Sequence, residues 1–118
     1  MRTIIALSFA AAAAWSVAAL AAPPASRLPQ GTGLDDAGMA AWYAGNLCQA
    51  STSTVQSYRT KVDALSPGGS GTPDFHEGER QALSIVNQIR AEGGDTSELS
   101  QRVCPRSLSL IERTMALP

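Results

Sequence analysis

The side chains able to do chemistry are few and scattered: one histidine, His76, two cysteines, Cys48 and Cys104, and a short acidic stretch formed by Asp74, Glu77 and Glu79. A nucleophile and base pair would have to use His76, which falls in an early helical turn among carboxylates, where a histidine is usually a surface residue. His76-Glu77-Gly78-Glu79-Arg80 approaches a zinc-helix motif, but Arg80 stands where the second histidine is required. Asp74, His76 and Glu77 do not converge on one point of a helix, so no metal site is expected. Gly68-Gly69-Ser70-Gly71 lacks the Gly-Lys-Ser/Thr ending of a phosphate loop, and no strand precedes it. These residues point to a protein that acts by binding, with no enzymatic activity and no cofactor expected.

The cysteines have no CxxC spacing, so a structural disulfide between Cys48 and Cys104 is expected rather than redox chemistry or zinc ligation. Such bonds belong to exported chains, and the start of this one carries an export signal. Met1, Arg2 and Thr3 form a basic start, Ile4 to Leu20 is an Ala-rich apolar run, and Ala19-Leu20-Ala21 offers small residues for cleavage after Ala21. An uncleaved anchor is the alternative, since a span needs about 20 apolar residues; the small-residue end favours cleavage. Residues 1–21 are thus expected as a signal peptide, with export to the periplasm and no stable membrane insertion afterwards.

Removing Arg2 with the signal leaves eight Lys and Arg against ten Asp and Glu, so the sequence's formal charge of −1 becomes −2. Arg59, Lys61, Arg80, Arg90, Arg102, Arg106 and Arg113 are interspersed with acids, which argues against nucleic acid as a partner and reads as solvated helix surface. The 97 residues from Ala22 to Pro118 (118 minus 21) make one small domain whose core benefits from a covalent staple.

The elements that must position these residues are helical. Ala22 to Gly33 is rich in Pro and Gly and reads as a disordered leader without assigned structure, and residues 34–118 as the helical domain. Leu34 to Leu65 reads as a long helix beginning near Asp35 or Asp36. Ala41, Cys48, Val55 and Val62 recur every seven residues, with Ala44, Ser51, Tyr58 and Leu65 as a companion row. The tract Ser51-Thr52-Ser53-Thr54 is its weak point, where a bend or a second helix start competes. Met39, Tyr43 and Leu47 form a second stripe that calls for another helix or a second subunit. Trp42 lies off both rows, as core filler or as an exposed contact.

Ser66 to Pro73, with three glycines and two prolines, is a loop. Thr72 caps the next helix, Pro73 suits its first position, Phe75, Ala82, Val86 and Ile89 give it an apolar face with Leu83 and Ile85 beside them, and Gly93-Gly94 ends it. Asp95 with Glu98 opens a short helix carrying Leu99 and Val103. Pro105 is expected to interrupt it, with a last helix burying Leu108, Ile111 and Met115 and placing Leu110 at its edge. The fold class is all-α: a small disulfide-stapled bundle of three to five helices.

Several pieces recur in one order: Trp42 through Leu47-Cys48-Gln49-Ala50, the loop into Pro73-Asp74-Phe75-His76-Glu77, Ala82-Leu83-Ser84-Ile85-Val86, Gly93-Gly94, and Val103-Cys104 with Pro105 behind it, before a Leu-rich terminal helix. This order resembles the small periplasmic immunity proteins that protect bacteria from type VI secretion amidase effectors. The resemblance implies a helical, disulfide-bonded binder, often a homodimer, that plugs the cleft of a peptidoglycan-cleaving amidase. The expected partner-binding residues are Gly68, Gly69, Ser70 and Gly71 of the loop, Asp74, His76 and Glu77 behind it, and Trp42. The alternative function is an acid-stress chaperone-like binding protein of the same compartment.

Overall fold

The computed structural model describes residues 26–118; the expected signal peptide, its cleavage point and the first four residues of the leader lie outside them. The described residues form four α-helices, α1 Leu34–Asn46, α2 Thr52–Leu65, α3 Pro73–Ala91 and α4 Ser97–Met115, with a 3₁₀ turn at Gly69–Gly71. No strand occurs among the described residues.

The long first helix is two helices. Leu47 and Cys48 both donate their N–H to the Tyr43 carbonyl, Gln49 takes the left-handed conformation at φ 62°, and Ala50 donates to Ala44, which closes α1 and reverses the chain. Ser51 then caps α2, its hydroxyl accepting from the Thr54 N–H at 3.1 Å. The weak tract therefore starts a helix instead of continuing one. The seven-residue rows still mark the core, because Ala41, Ala44, Tyr58, Val62 and Leu65 are all buried. They meet by folding back on each other, not by lying along one rod.

Local chemistry fixes the other ends. Thr72 accepts from the Phe75 N–H at 3.3 Å and Pro73 opens α3. Gly93 at φ 80° ends it, followed by the Gly94 N–H donating to the Ile89 carbonyl. Asp95 accepts from the N–H and hydroxyl of Ser97 ahead of α4, and these bonds hold its carboxyl below its usual value. Arg27 gives its N–H to Leu65 and its guanidinium to Ala64, so the middle of the expected leader covers open carbonyls at the end of α2.

Helix α4 runs through Pro105 without a break, contrary to the expected short helix and restart. The carbonyl that Pro105 cannot satisfy belongs to Gln101, and both residues are exposed, so water can take the missing place. Continuity also changes the buried face. Leu99, Ser107, Leu110, Ile111 and Thr114 are buried, whereas Leu108 and Met115, expected inside, are exposed. One unbroken helical phase carries the stripe of Leu99 and Val103 through Ser107 and Leu110 to Thr114.

Helix α1 is the centre of the bundle, packing on α2, α3 and α4. It runs parallel to α3, with Gly38 against Phe75 and Asp35 against Gly78 at one end and Tyr43 clustered with Ala82 and Val86 farther along. It runs antiparallel to α4, joined to it by the disulfide between Cys48 and Cys104 at one end, while Ile111 joins the cluster of Ala37 and Ala41 towards the other. The Cα separation of the bonded cysteines is 5.5 Å, within the usual range for a disulfide. Such a bond fits an oxidising compartment.

The crossing of α1 and α3 depends on two glycines. A Cβ at Gly38 would lie 2.0 Å from the Phe75 carbonyl oxygen, and one at Gly78 would lie 1.9 Å from that of Asp35. The two backbones are therefore in direct contact. Tyr58 bolts the opposite side, donating its hydroxyl to the Ala37 carbonyl at 3.2 Å from a fully buried position.

Candidate functional site

The residues expected to bind a partner divide into two places. Gly68 takes φ 70° and starts the 3₁₀ turn; Gly69 is buried against Leu34 and Val62. The Ser70 N–H donates to Asp63 at 2.8 Å, and the Thr72 hydroxyl donates to the Gly69 carbonyl at 2.7 Å. A segment that composition marks as flexible is thus tied to the end of α2. Gly68 and Gly71 are exposed at this edge, as are Asp74 and His76 in the first turn of α3.

Behind the edge, His76 Nδ1 lies 3.0 Å from Glu79 Oε1, and the other Glu79 oxygen pairs with Arg59 of α2. The Arg59 guanidinium also lies 5.2 Å above the Phe75 ring. Glu77 pairs with Arg80. This arrangement ties α2 to α3 with charge-assisted bonds and leaves His76 outward, where its ring is open to solvent.

Trp42 stands apart from this edge. It is half-buried, its ring edge-to-face with Tyr43 at 5.9 Å, against the cluster of Tyr43, Ala82, Val86 and Leu99. The stripe Met39-Tyr43-Leu47 finds its neighbours in α3 and α4 of the same chain.

A second surface was not evident in the sequence. The backbones of α3 and α4 nowhere approach within 8 Å from Cα to Cα, because the glycine crossing draws α3 onto α1. Between them lies an open groove of about 690 Å³ whose floor is Met39, Ala40 and Tyr43 of α1. Ile85 forms the α3 wall, and Leu99, Val103 and Leu110 the α4 wall. Arg106 and Arg113 stand at the α4 rim, and Asp36 and Thr32 at one end. Arg102, one helical turn before Arg106, continues the same rim; burial raises the Tyr43 hydroxyl pKa, and the Arg102 guanidinium opposes that shift.

Arg102, Arg106 and Arg113 follow one stripe of α4, at intervals of four and seven residues. Among the described residues none of the three forms an ion pair within 4.0 Å. The signal that could have found them was their spacing in one helix; it is hidden when Pro105 is taken as a break. The glycines behind the groove carried a signal too, since Gly38 and Gly78 each sit inside a helix at a cost of about 1 kcal/mol relative to Ala.

Around the disulfide a shallower recess is lined by Leu47, Gln49, Ser100, Gln101 and Pro105. Ser100 donates to the Leu47 carbonyl at 3.3 Å and lies 3.4 Å from the Cys104 sulfur. No described helix is long and apolar enough to cross a membrane.

Fold and geometry together define a four-helix, disulfide-stapled all-α domain with α1 at its centre. Compared with family models, curated proteins and solved structures, the chain matches none of them.

Proposed function

We propose that this protein is a periplasmic immunity protein, an inhibitor that binds and blocks a peptidoglycan-cleaving amidase effector. The observation that carries the reading is the edge formed by the 3₁₀ turn and the start of α3. Its backbone is held by Asp63 and Thr72 while Gly68, Gly71, Asp74 and His76 face outward. A probe that is already ordered loses little conformational freedom when it enters a partner's cleft, and small residues at its tip permit close backbone approach. The order of sequence pieces, which resembles that of immunity proteins, and the expected export signal support the same reading. So does the disulfide, which braces a small domain in an oxidising compartment.

The partner is a secreted amidase, and inhibition needs neither metal nor cofactor. Co-expression in the periplasm with the amidase encoded by an adjacent reading frame tests the reading. Cells producing both should keep their envelope intact, and lysis at the same rate with and without this protein would overturn it.

A further inference from the structure

We infer that the groove between α3 and α4 docks an acidic amphipathic helical segment of a partner protein, its apolar side on Met39, Ile85 and Val103 and its carboxylates on Arg102, Arg106 and Arg113. The inference stands on the groove alone and does not depend on the inhibitor reading.

The first argument is shape. From Leu99 to Arg113 the α4 wall rises about 21 Å, roughly four helical turns at 1.5 Å per residue. With α3 pressed onto α1 and α4 packed on another side of α1, a helix laid in the gap would cover Met39, Ile85 and Val103, which the chain leaves partly open above the buried Ala40 and Tyr43. The floor is apolar and the recess is open along its length, so it suits an extended element rather than an enclosed small molecule.

The second argument is charge. The three arginines form one positive row along the rim, and among the described residues no carboxylate pairs with them. Arg59 and Arg80, by contrast, are each committed to a glutamate. Glu98 stands one turn before Arg102 without forming an ion pair, and Asp36 accepts from the Gly33 N–H. The α3 wall lines the groove with Ile85 and contributes no charge. An occupant with a lengthwise row of carboxylates beside an apolar face would satisfy both sides at once.

The same chemistry selects among occupants. Residues 1–34 contain no Asp or Glu and carry Arg2 and Arg27, so the chain's own N-terminal segment has the wrong charge. In a second copy, Glu77 and Glu79 are already paired, and no described helix carries a lengthwise row of carboxylates at the spacing of the three arginines.

The test uses the secreted, oxidised protein and a fluorescein-labelled amphipathic peptide of about four turns. One face of the peptide carries Leu and Ala, and Glu residues are spaced to match the arginines; a twin has Gln in place of Glu. Anisotropy should show that the Glu peptide binds and that its twin binds at least about tenfold more weakly. The triple variant Arg102→Gln, Arg106→Gln, Arg113→Gln should lose a similar factor, and added salt should weaken binding. Arg90→Gln, outside the row, should change nothing. Methyl NMR should move Met39 and Ile85 and leave Met115 and Ile111 in place.

Equal binding of the two peptides, an unaffected triple variant, shifts confined to Met115, or no peptide binding would each overturn the inference. So would arginine-dependent binding to phosphatidylglycerol vesicles without peptide binding, which assigns the groove to a membrane surface. Self-association abolished in the triple variant would assign it to a second copy. An amidase still blocked by the triple variant leaves the inhibitor reading intact, so the two proposals fail separately.

Discussion

Replacing Gly78 by Ala probes the contact on which the bundle turns. In an exposed helix interior this change stabilises by about 1 kcal/mol, because alanine is the better helix former. Here the added Cβ would lie 1.9 Å from the Asp35 carbonyl oxygen, 2.7 Å from its carbonyl carbon and 2.9 Å from the Met39 nitrogen. All three are backbone atoms of α1, so no rotamer change relieves the clash. A carbon approaches a carbonyl oxygen to about 3.3 Å at closest, so α3 must retreat by about 1.4 Å.

That retreat separates Ala82 and Val86 from Tyr43, and a radial gap of this size forfeits half or more of the contact energy there. Overpacking costs about 1 to 3 kcal/mol or more, so after the propensity gain the variant should be less stable by roughly 2 kcal/mol. For a domain of this size that lowers Tm by roughly 10 °C. The assay is thermal and urea unfolding followed by circular dichroism, with the disulfide intact. Gly45→Ala is the control, since its added Cβ meets only Val55 Cγ2 at 3.4 Å and should be neutral or slightly stabilising. A Gly78→Ala protein as stable as the parent would refute the proposed backbone contact.

Two further outcomes follow from the interior. Cys48 and Cys104 are 56 residues apart, and in the chain-entropy model opening that loop costs about 4 kcal/mol. Cys48→Ser with Cys104→Ser, or a reductant, should lower the urea midpoint sharply, and an unchanged midpoint would remove the staple from the account. Burial raises the pKa of Tyr58 far above its ordinary 10.0, outweighing the opposing influence of nearby Thr114 and Arg59. The folded state therefore resists forming the phenolate. Stability from this group is intact below pH 10 and declines above it by up to about 1.4 kcal/mol per pH unit. Tyr58→Phe should flatten that alkaline decline, at a cost of about 1 kcal/mol at neutral pH from the lost hydrogen bond to Ala37; an alkaline limb unchanged in the variant would contradict this.

What the sequence disclosed was local. The start of α3 at Thr72 and Pro73, its end at Gly93 and the all-helical class each rest on chemistry within a few residues, and the cysteine pair was legible because the sequence has only two cysteines. What it hid depends on contacts distant in sequence. Gln49 takes a left-handed conformation without being glycine, so nothing in its type announced the reversal between α1 and α2. Pro105 stays helical because the carbonyl it leaves open belongs to an exposed residue, a fact of placement and not of type.

The candidate site divides along the same line. The edge from Gly68 to His76 was readable as a loop before a capped helix, but its rigidity comes from Asp63, part of the preceding helix. The groove was not readable. It arises from the close crossing at Gly38 and Gly78, and its arginines look like ordinary helix surface until α4 is known to be continuous.

The central claim, that this fold inhibits an amidase by binding it, is tested most directly by titrating the oxidised protein into the purified amidase. Calorimetry and peptidoglycan hydrolysis should be followed on the same samples. The account predicts saturable binding with hydrolysis falling in step with occupancy. Hydrolysis that continues undiminished at saturating protein, or the absence of any binding, would contradict it.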